Sequence, residues 1–454
     1  MPVRARFLAF ARTATKRLLR VFREESANVA IMFGLSAPVL LGGAGIALEA
    51  GNWYYTRREM QNAADAAAIA ASSNGTSSYA TEAQAVTANY GFVNGSNSVT
   101  VTPLNNQPCP DGTTTCYTVT ITKSVPLYLA QVLGYNGNTT VGGHKGVSLQ
   151  TSATATQGSQ QVQLCLLALG TTSTDIISNG APNANLAGCN IMADSSSTCN
   201  GHNLGANYGI AHGSDNGCGI NQVSNAPIVP DPYAYLASQI PAMGNHCGTT
   251  PTYPQEDKHG GGLPSSNMWS SSTLNLANST VMCGDQQLQN DVTINDTNGP
   301  AVLVIENGQL DLNGHTLSTA SGSSVTLIFS GDGTSGYTHY PTGGGTLATS
   351  APTSGTWKGM ALYQDPSITD GVSFTYAGNT PEWDMNGIVY LPNANVTFSG
   401  AVNKNATSAC FMLVVNDLTI NGTGDIISQN LANCNNYGFN LPNGTVPGRG
   451  RLVL

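Results

Sequence analysis

SANVAIMFGLSAPVLLGGAGIAL, residues 26–48, runs for 23 residues without a charge. At about 1.5 Å per residue, a helix of that length crosses the roughly 30 Å hydrocarbon core of a bilayer, whereas a signal-peptide core holds only about 7–15 apolar residues. The run therefore reads as a retained membrane anchor. Seven cations precede it (Arg4, Arg6, Arg12, Lys16, Arg17, Arg20 and Arg23), and only Arg57 and Arg58 follow closely. That asymmetry predicts a single pass with the N-terminus cytoplasmic, and it places nearly everything after residue 48 on the exported side of the membrane.

The helical pattern does not stop with the apolar run. Trp53, Met60 and Ala67 follow at heptad spacing, which extends the expected helix from about Asn28 to Ala71, a rod of about 66 Å if straight. Pro38 should kink it. Gly42, Gly43, Gly45 and Ala47 offer a patch of small side chains where a second backbone could approach, so helix packing or self-association is expected through Gly42, Gly43 and Ala47.

Composition narrows what the exported part can do. The chain holds 16 Lys+Arg against 25 Asp+Glu, and residues 150–445 hold three lysines (Lys258, Lys358, Lys404) against 18 acids. So few cations exclude tracking of nucleic acid, which depends on Lys and Arg at phosphates. Ten cysteines, all beyond residue 100, fit an oxidising compartment. Many connectivities are open, and neighbour pairing is the economical one: Cys109 with Cys116, Cys165 with Cys189, Cys199 with Cys218, Cys247 with Cys283, Cys410 with Cys434. No CxxC occurs and the seven histidines are scattered, so neither a metal nor another cofactor is expected.

Five segments follow from the pattern: a basic cytoplasmic stretch (1–26), the anchor and its continuing helix (27–73), a small α+β domain (74–156), a β-rich domain (161–445) and a tail (446–454). In the α+β domain, SYATEAQAVTANYG reads as a short helix and NSVTVTPL with CYTVTITKSV as a hairpin. VPLYLAQVLG reads as a second helix ended by Gly134, and KGVSLQTSATAT as a closing strand. The small polar run 151–160 reads as the boundary. Beyond it TLNLAN (273–278), DVTIND (291–296), QLDLNG (309–314), NVTFSG (395–400) and DLTING (417–422) share one form, an alternating apolar strand closed by a polar turn. Such recurrence predicts a parallel β-helix or solenoid in preference to a hairpin sandwich. The expected fold class is mainly β behind one long N-terminal helix.

The run NVAIMFGLSAPVLLGGAGIALEAGNWYYTRREMQNAADAAAIAAS resembles the N-terminal segment of TadE/TadG-like proteins of the tight-adherence (Flp) pilus assembly system. The resemblance lies in the apolar helix with its internal Pro-Val-Leu-Leu, the exit at Glu49, Ala50 and Gly51, and QNAADAAAIAA, about a tenth of the chain. Glu49 stands where the family usually has Asp. Pilins are cut after a glycine, and none precedes Ser26, so a retained anchor is implied. CLLALGTTSTDIISNGAPNANLAGCNIMADSSS, the repeats and ACFMLVVNDLTINGTG resemble a C-terminal region found behind such anchors in some alphaproteobacterial envelope proteins. Together they imply an envelope protein anchored in a bacterial inner membrane, its bulk periplasmic or surface-exposed, with pilus-assembly or other envelope partners.

Candidate chemistry is sparse. Parallel β-helices that cleave polysaccharides need paired carboxylates or a cationic base, yet no arginine lies between Arg58 and Arg449. Asp365, Glu382 and Asp384 form the nearest acidic group, and Trp357, Tyr363, Trp383 and Asp384 could grip a glycan. DSSST at Asp194 looks superficially like a DxSxS metal site, but it follows a cysteine-rich loop instead of a long strand. Asn-X-Ser/Thr sites such as Asn395 and Asn421 read as turn ladders. The expected function is a non-enzymatic membrane-anchored envelope protein serving Flp/Tad-type pilus assembly or surface adhesion; the alternative is an anchored carbohydrate-binding or carbohydrate-cleaving β-helix.

Overall fold

The computed structural model describes residues 25–453 apart from 76, 111, 113–114, 181–185, 187, 242–252, 257–261, 333–335, 378–381, 400–409, 423–433 and 435–437. The basic stretch before Glu25 lies outside the described residues. Two compact units emerge: residues 1–159 with 447–454, and residues 160–446.

In the first unit one helix, α1 (Glu25–Asn74), runs unbroken through Pro38. Its last third carries Met60, Ala63, Ala64, Ala67, Ala68 and Ala71, all fully buried against Val99, Val101, Val119, Ile121, Ala153 and Ala155. Alanines at three- and four-residue spacing form one face, and their short side chains let the helix lie close on a sheet. Gln61 adds a hydrogen bond from its Nε2 to the Ser152 carbonyl at 3.2 Å. The heptad positions Met60 and Ala67 thus face this chain's own sheet. A second helix, α2 (Tyr79–Asn89), packs beside it through Ala83.

The sheet itself is antiparallel. Val99–Gln107 pairs with Cys116–Pro126, which pairs with the first part of the long strand His144–Ala168. Cys109–Cys116 closes the hairpin. Residues 151–160, expected as a polar boundary, are strand: Thr151 lies opposite Ile121 and Ala155 opposite Tyr117, so the Thr/Ala/Ser alternation is a pleat with its alanines inward. The expected tail is also strand. Asn443–Leu452 pairs with His144–Ala168, and a Cβ on Gly158 would collide with the Arg449 carbonyl, which requires glycine there. The second expected helix shrinks to a 3₁₀ turn, Ala130–Leu133, stopped by Gly134 in the left-handed region at φ 88°. Val125 and Pro126 remain in the strand before it, and the Leu127 N–H still bonds across to the Lys145 carbonyl.

The second unit is a stack of parallel strands of the solenoid-like kind. One column reads, in spatial order, Ser279–Cys283, Ala301–Glu306, Val325–Ser330, Met360–Gln364, Gly387–Ser399, Phe411–Asn421, the end of His144–Ala168, Asn190–Ala193, Tyr208–Ala211 and Asn221–Val223. Two shorter parallel sheets complete the coils: Met268–Trp269, Gln286–Leu288, Leu310–Asp311 and Pro341–Thr342, then Thr273–Leu276, Val292–Asp296, His315–Thr319, Gly345–Ala348 and Glu382–Trp383. The chain order is not the stack order. The first coils lead away from the middle, the chain returns to the far end, and it then winds back until Leu413 lies beside Leu166 and Leu418 beside Ile176.

The returning segment, Ala226–Ile240, explains why the main column is apolar on both faces. Its Val229 N–H bonds Asp194 (2.8 Å), Tyr390 donates to Asp231 (2.8 Å), and Ile240 shares a cavity lining with Val281 and Val304. Strands under it, such as Val325–Ser330 and Met360–Gln364, are buried at every position, whereas Val292–Asp296 alternates. Asparagines cap the coils in register: Asn200 donates to Asn179 (3.3 Å) and Asn179 to Asn421 (3.2 Å). Cys165–Cys189 and Cys199–Cys218 staple the first coils and Cys410–Cys434 the last. Cys283 is also disulfide-bonded, and its expected partner Cys247 lies outside the described residues.

Candidate functional site

The feature that sets this chain apart is the first half of α1. Val29, Met32, Phe33, Leu35, Val39, Leu40, Leu41 and Leu48 are each at least 66% exposed. A monomer in water rarely shows so large a contiguous apolar surface, and the helix is long and apolar enough to cross a membrane. Gly43 and Ala47, one turn apart, are exposed on it, and a Cβ at Gly43 would meet nothing within 4 Å. Gly42 is half-buried and Gly45 buried on the neighbouring face.

Glu49 ends the uncharged run and is only 7% exposed. Its carboxylate accepts the backbone N–H groups of Tyr128 (2.5 Å), Leu129 (2.9 Å) and Ala130 (2.6 Å). Those donors belong to the turn that opens the 3₁₀ helix Ala130–Leu133, where the N–H groups have no partner within the helix. One acid therefore ties the loop 127–135 to the helix. One turn earlier, a Cβ on Gly45 would lie 3.1 Å from the Leu129 Cβ; one turn later, Trp53 meets Tyr135 at 6.1 Å between ring centroids.

The proposed glycan contacts are placed otherwise. Trp357 is 6% exposed, Tyr363 fully buried and Trp383 4% exposed. Trp357 packs edge-on to Tyr363 (5.0 Å), Tyr363 stacks on Tyr390 (4.7 Å), and Trp383 packs edge-on to Phe398 (5.8 Å). Tyr363, with Trp357 against it, lies beneath the returning segment, where its hydroxyl donates to the Tyr233 carbonyl (3.3 Å), and Trp383 packs among Tyr376, Phe398 and Phe411, so none of the three rings offers a free face to a sugar. Half-buried Asp384 is fixed in the sheet by its N–H to the Leu347 carbonyl. Asp365 is a turn acid, accepting Ser330 Oγ (2.8 Å), Ser367 N–H (2.9 Å) and Ser367 Oγ (2.7 Å). Asp194 anchors Val229 and is pushed by burial up to about 6. Among the described residues no group of three or more His, Cys, Asp or Glu could hold a metal ion.

Sequence reasoning missed one acidic pair. Asp175 is fully buried, and Asp175 Oδ1 and Asp417 Oδ1 each lie 2.6 Å from where a Cβ on Gly170 would sit. Burial, opposed by two hydrogen bonds from Ser195, pushes the Asp175 carboxyl up to about 6. The pair comes from adjacent coils that lie far apart in the chain, so no local spacing announced it.

The family model for TadE/G-like Flp pilus-assembly proteins matches residues 27–85, which takes in both parts of α1 and the start of α2. No curated protein and no solved structure matches the chain. The match and the exposed apolar helix fit a membrane-anchored protein associated with Flp/Tad pilus assembly.

Proposed function

We propose that the chain is a non-enzymatic envelope protein, held in the inner membrane by α1 with its N-terminus cytoplasmic, that presents a disulfide-stapled β-solenoid beyond the membrane to serve Flp/Tad-type pilus assembly or surface attachment. The observation that carries this reading is the uncharged, exposed half of α1 lying inside the matched stretch 27–85. The disulfides support export, because such bonds persist in oxidising compartments. The coils act as a scaffold that binds other envelope proteins, and Gly43 with Ala47 pairs anchors side by side.

Fractionation of cells making the full chain, followed by protease treatment of spheroplasts, tests the reading. The expected result is a carbonate-resistant membrane protein whose 161–445 region is digested from outside and runs faster unreduced than reduced. Recovery as a freely soluble cytoplasmic protein with reduced thiols would overturn it. A screen against polysaccharides tests the non-enzymatic part, and reproducible cleavage would defeat that part.

A further inference from the structure

We propose that the loop Leu127–Tyr135 is a second membrane contact, a foot that seats Tyr128, Leu129 and Tyr135 in the interfacial layer of the leaflet from which α1 emerges. The inference rests on α1 being a membrane anchor. It starts from depth: Leu129 packs beside Gly45, four residues inside the uncharged run and one turn below Glu49. Whatever surrounds α1 at that level also surrounds Leu129.

The exposed side chains suit that layer. Tyr128 is 70% exposed, Leu129 46% and Tyr135 49%, and on the helix Tyr54 and Tyr55 are 72% and 60% exposed. From Gly45 to Trp53 the helix rises about 12 Å, so Leu129, Tyr128 and the Trp53–Tyr135 pair mark successive levels from the hydrocarbon edge outward. Tyr and Trp gather at that boundary because one end of the ring is apolar and the other forms hydrogen bonds. Residues 124–143 contain no Asp, Glu, Lys or Arg, so nothing in the loop opposes entry. Arg57 and Arg58, two turns beyond Glu49 and exposed, carry side chains long enough to reach back toward lipid phosphates.

Glu49 makes the arrangement workable. A lone carboxylate one turn from the hydrocarbon would be costly, and so would three unpaired N–H groups on a loop entering the interface. Each satisfies the other, through the three bonds from Tyr128, Leu129 and Ala130. The partner is the phospholipid surface itself, since the exposed face is continuous with the apolar surface of the anchor.

The test uses the full chain in phosphatidylcholine–phosphatidylglycerol vesicles, with photoreactive benzoylphenylalanine replacing Tyr128, Leu40 or Tyr90 one at a time. Expected is a lipid adduct at Tyr128 comparable to that at Leu40, inside the anchor, and none above background at Tyr90, exposed on the same unit at the end of α2. An adduct at Leu40 with none at Tyr128 overturns the foot while the anchor stands. Adducts at neither position overturn the anchor and the foot together. A protein–protein adduct at Tyr128 in place of a lipid one makes the loop an interface between chains and also overturns the proposal.

Discussion

The two ends of α1 invert the usual rule for side-chain size. Residues 29–48 carry Phe, Met, Leu and Val, and these point outward; residues 60–71 bury a face made almost entirely of alanine. In a water-soluble helix the large apolar groups would be inside. Here the first half is suited to a surround that solvates bulk and the second to a sheet that must come close. Size follows the surroundings, bulky where the helix is bare and alanine where it meets a sheet, within one continuous helix.

Charge in the first half gives the largest expected effect. Leu40→Arg should cost about 3 kcal/mol of insertion free energy, read as loss of the full chain from the carbonate-resistant membrane fraction; unchanged retention would break the contrast between the halves.

Acid burial provides a second probe, away from lipid. Asp175 in the solenoid has a folded pKa raised from 3.8 to about 6 by burial. The folded state therefore holds a proton that the unfolded chain has released. Its stabilising contribution is complete below about pH 3.8 and is lost as pH rises through about 6, a loss on the order of 3 kcal/mol. Urea unfolding should show the disulfide-intact solenoid weaker at pH 7.5 than at pH 4.5, and Asp175→Asn should shrink the difference. A flat profile would contradict the burial of this acid.

Bulk in the second half comes next. Ala67 is fully buried on the sheet, so Ala67→Leu should overpack it by about 2 kcal/mol, seen as a lower melting temperature in detergent. Ala47→Leu, on the exposed half, should change folding stability by about 0.5 kcal/mol or less while weakening crosslinked dimers. Equal effects of the two substitutions would erase the distinction.

The long apolar helix was legible because one contiguous run carried it. The repeat was legible in form but not in phase. TLNLAN and DVTIND do lie side by side, Thr273 against Thr293, and NVTFSG against DLTING, Asn395 against Asp417. QLDLNG does not join them: Leu310–Asp311 belongs to the sheet of Met268–Trp269, and His315–Thr319 takes the expected place. An alternating strand and a polar turn look alike at any corner of a coil, and loops of unequal length shift the spacing. The pairing of Thr151–Thr156 with Cys116–Ile121 was hidden for another reason: small polar residues resemble a linker until a partner strand is in place. Trp357 and Trp383 looked like binding groups because nothing local marked the distant rings that bury them.

The stack order carries a consequence for biogenesis. Leu166, among the earliest residues of its unit to leave a ribosome or a translocon, finds its neighbour Leu413 only after nearly the whole unit has followed. The first rungs cannot be sealed as they appear, and such distant pairing makes assembly slow. Until the final winding arrives they wait with an open edge, the kind of surface that invites aggregation or a chaperone. Production of the finished particle is thereby gated on receipt of its own last strand.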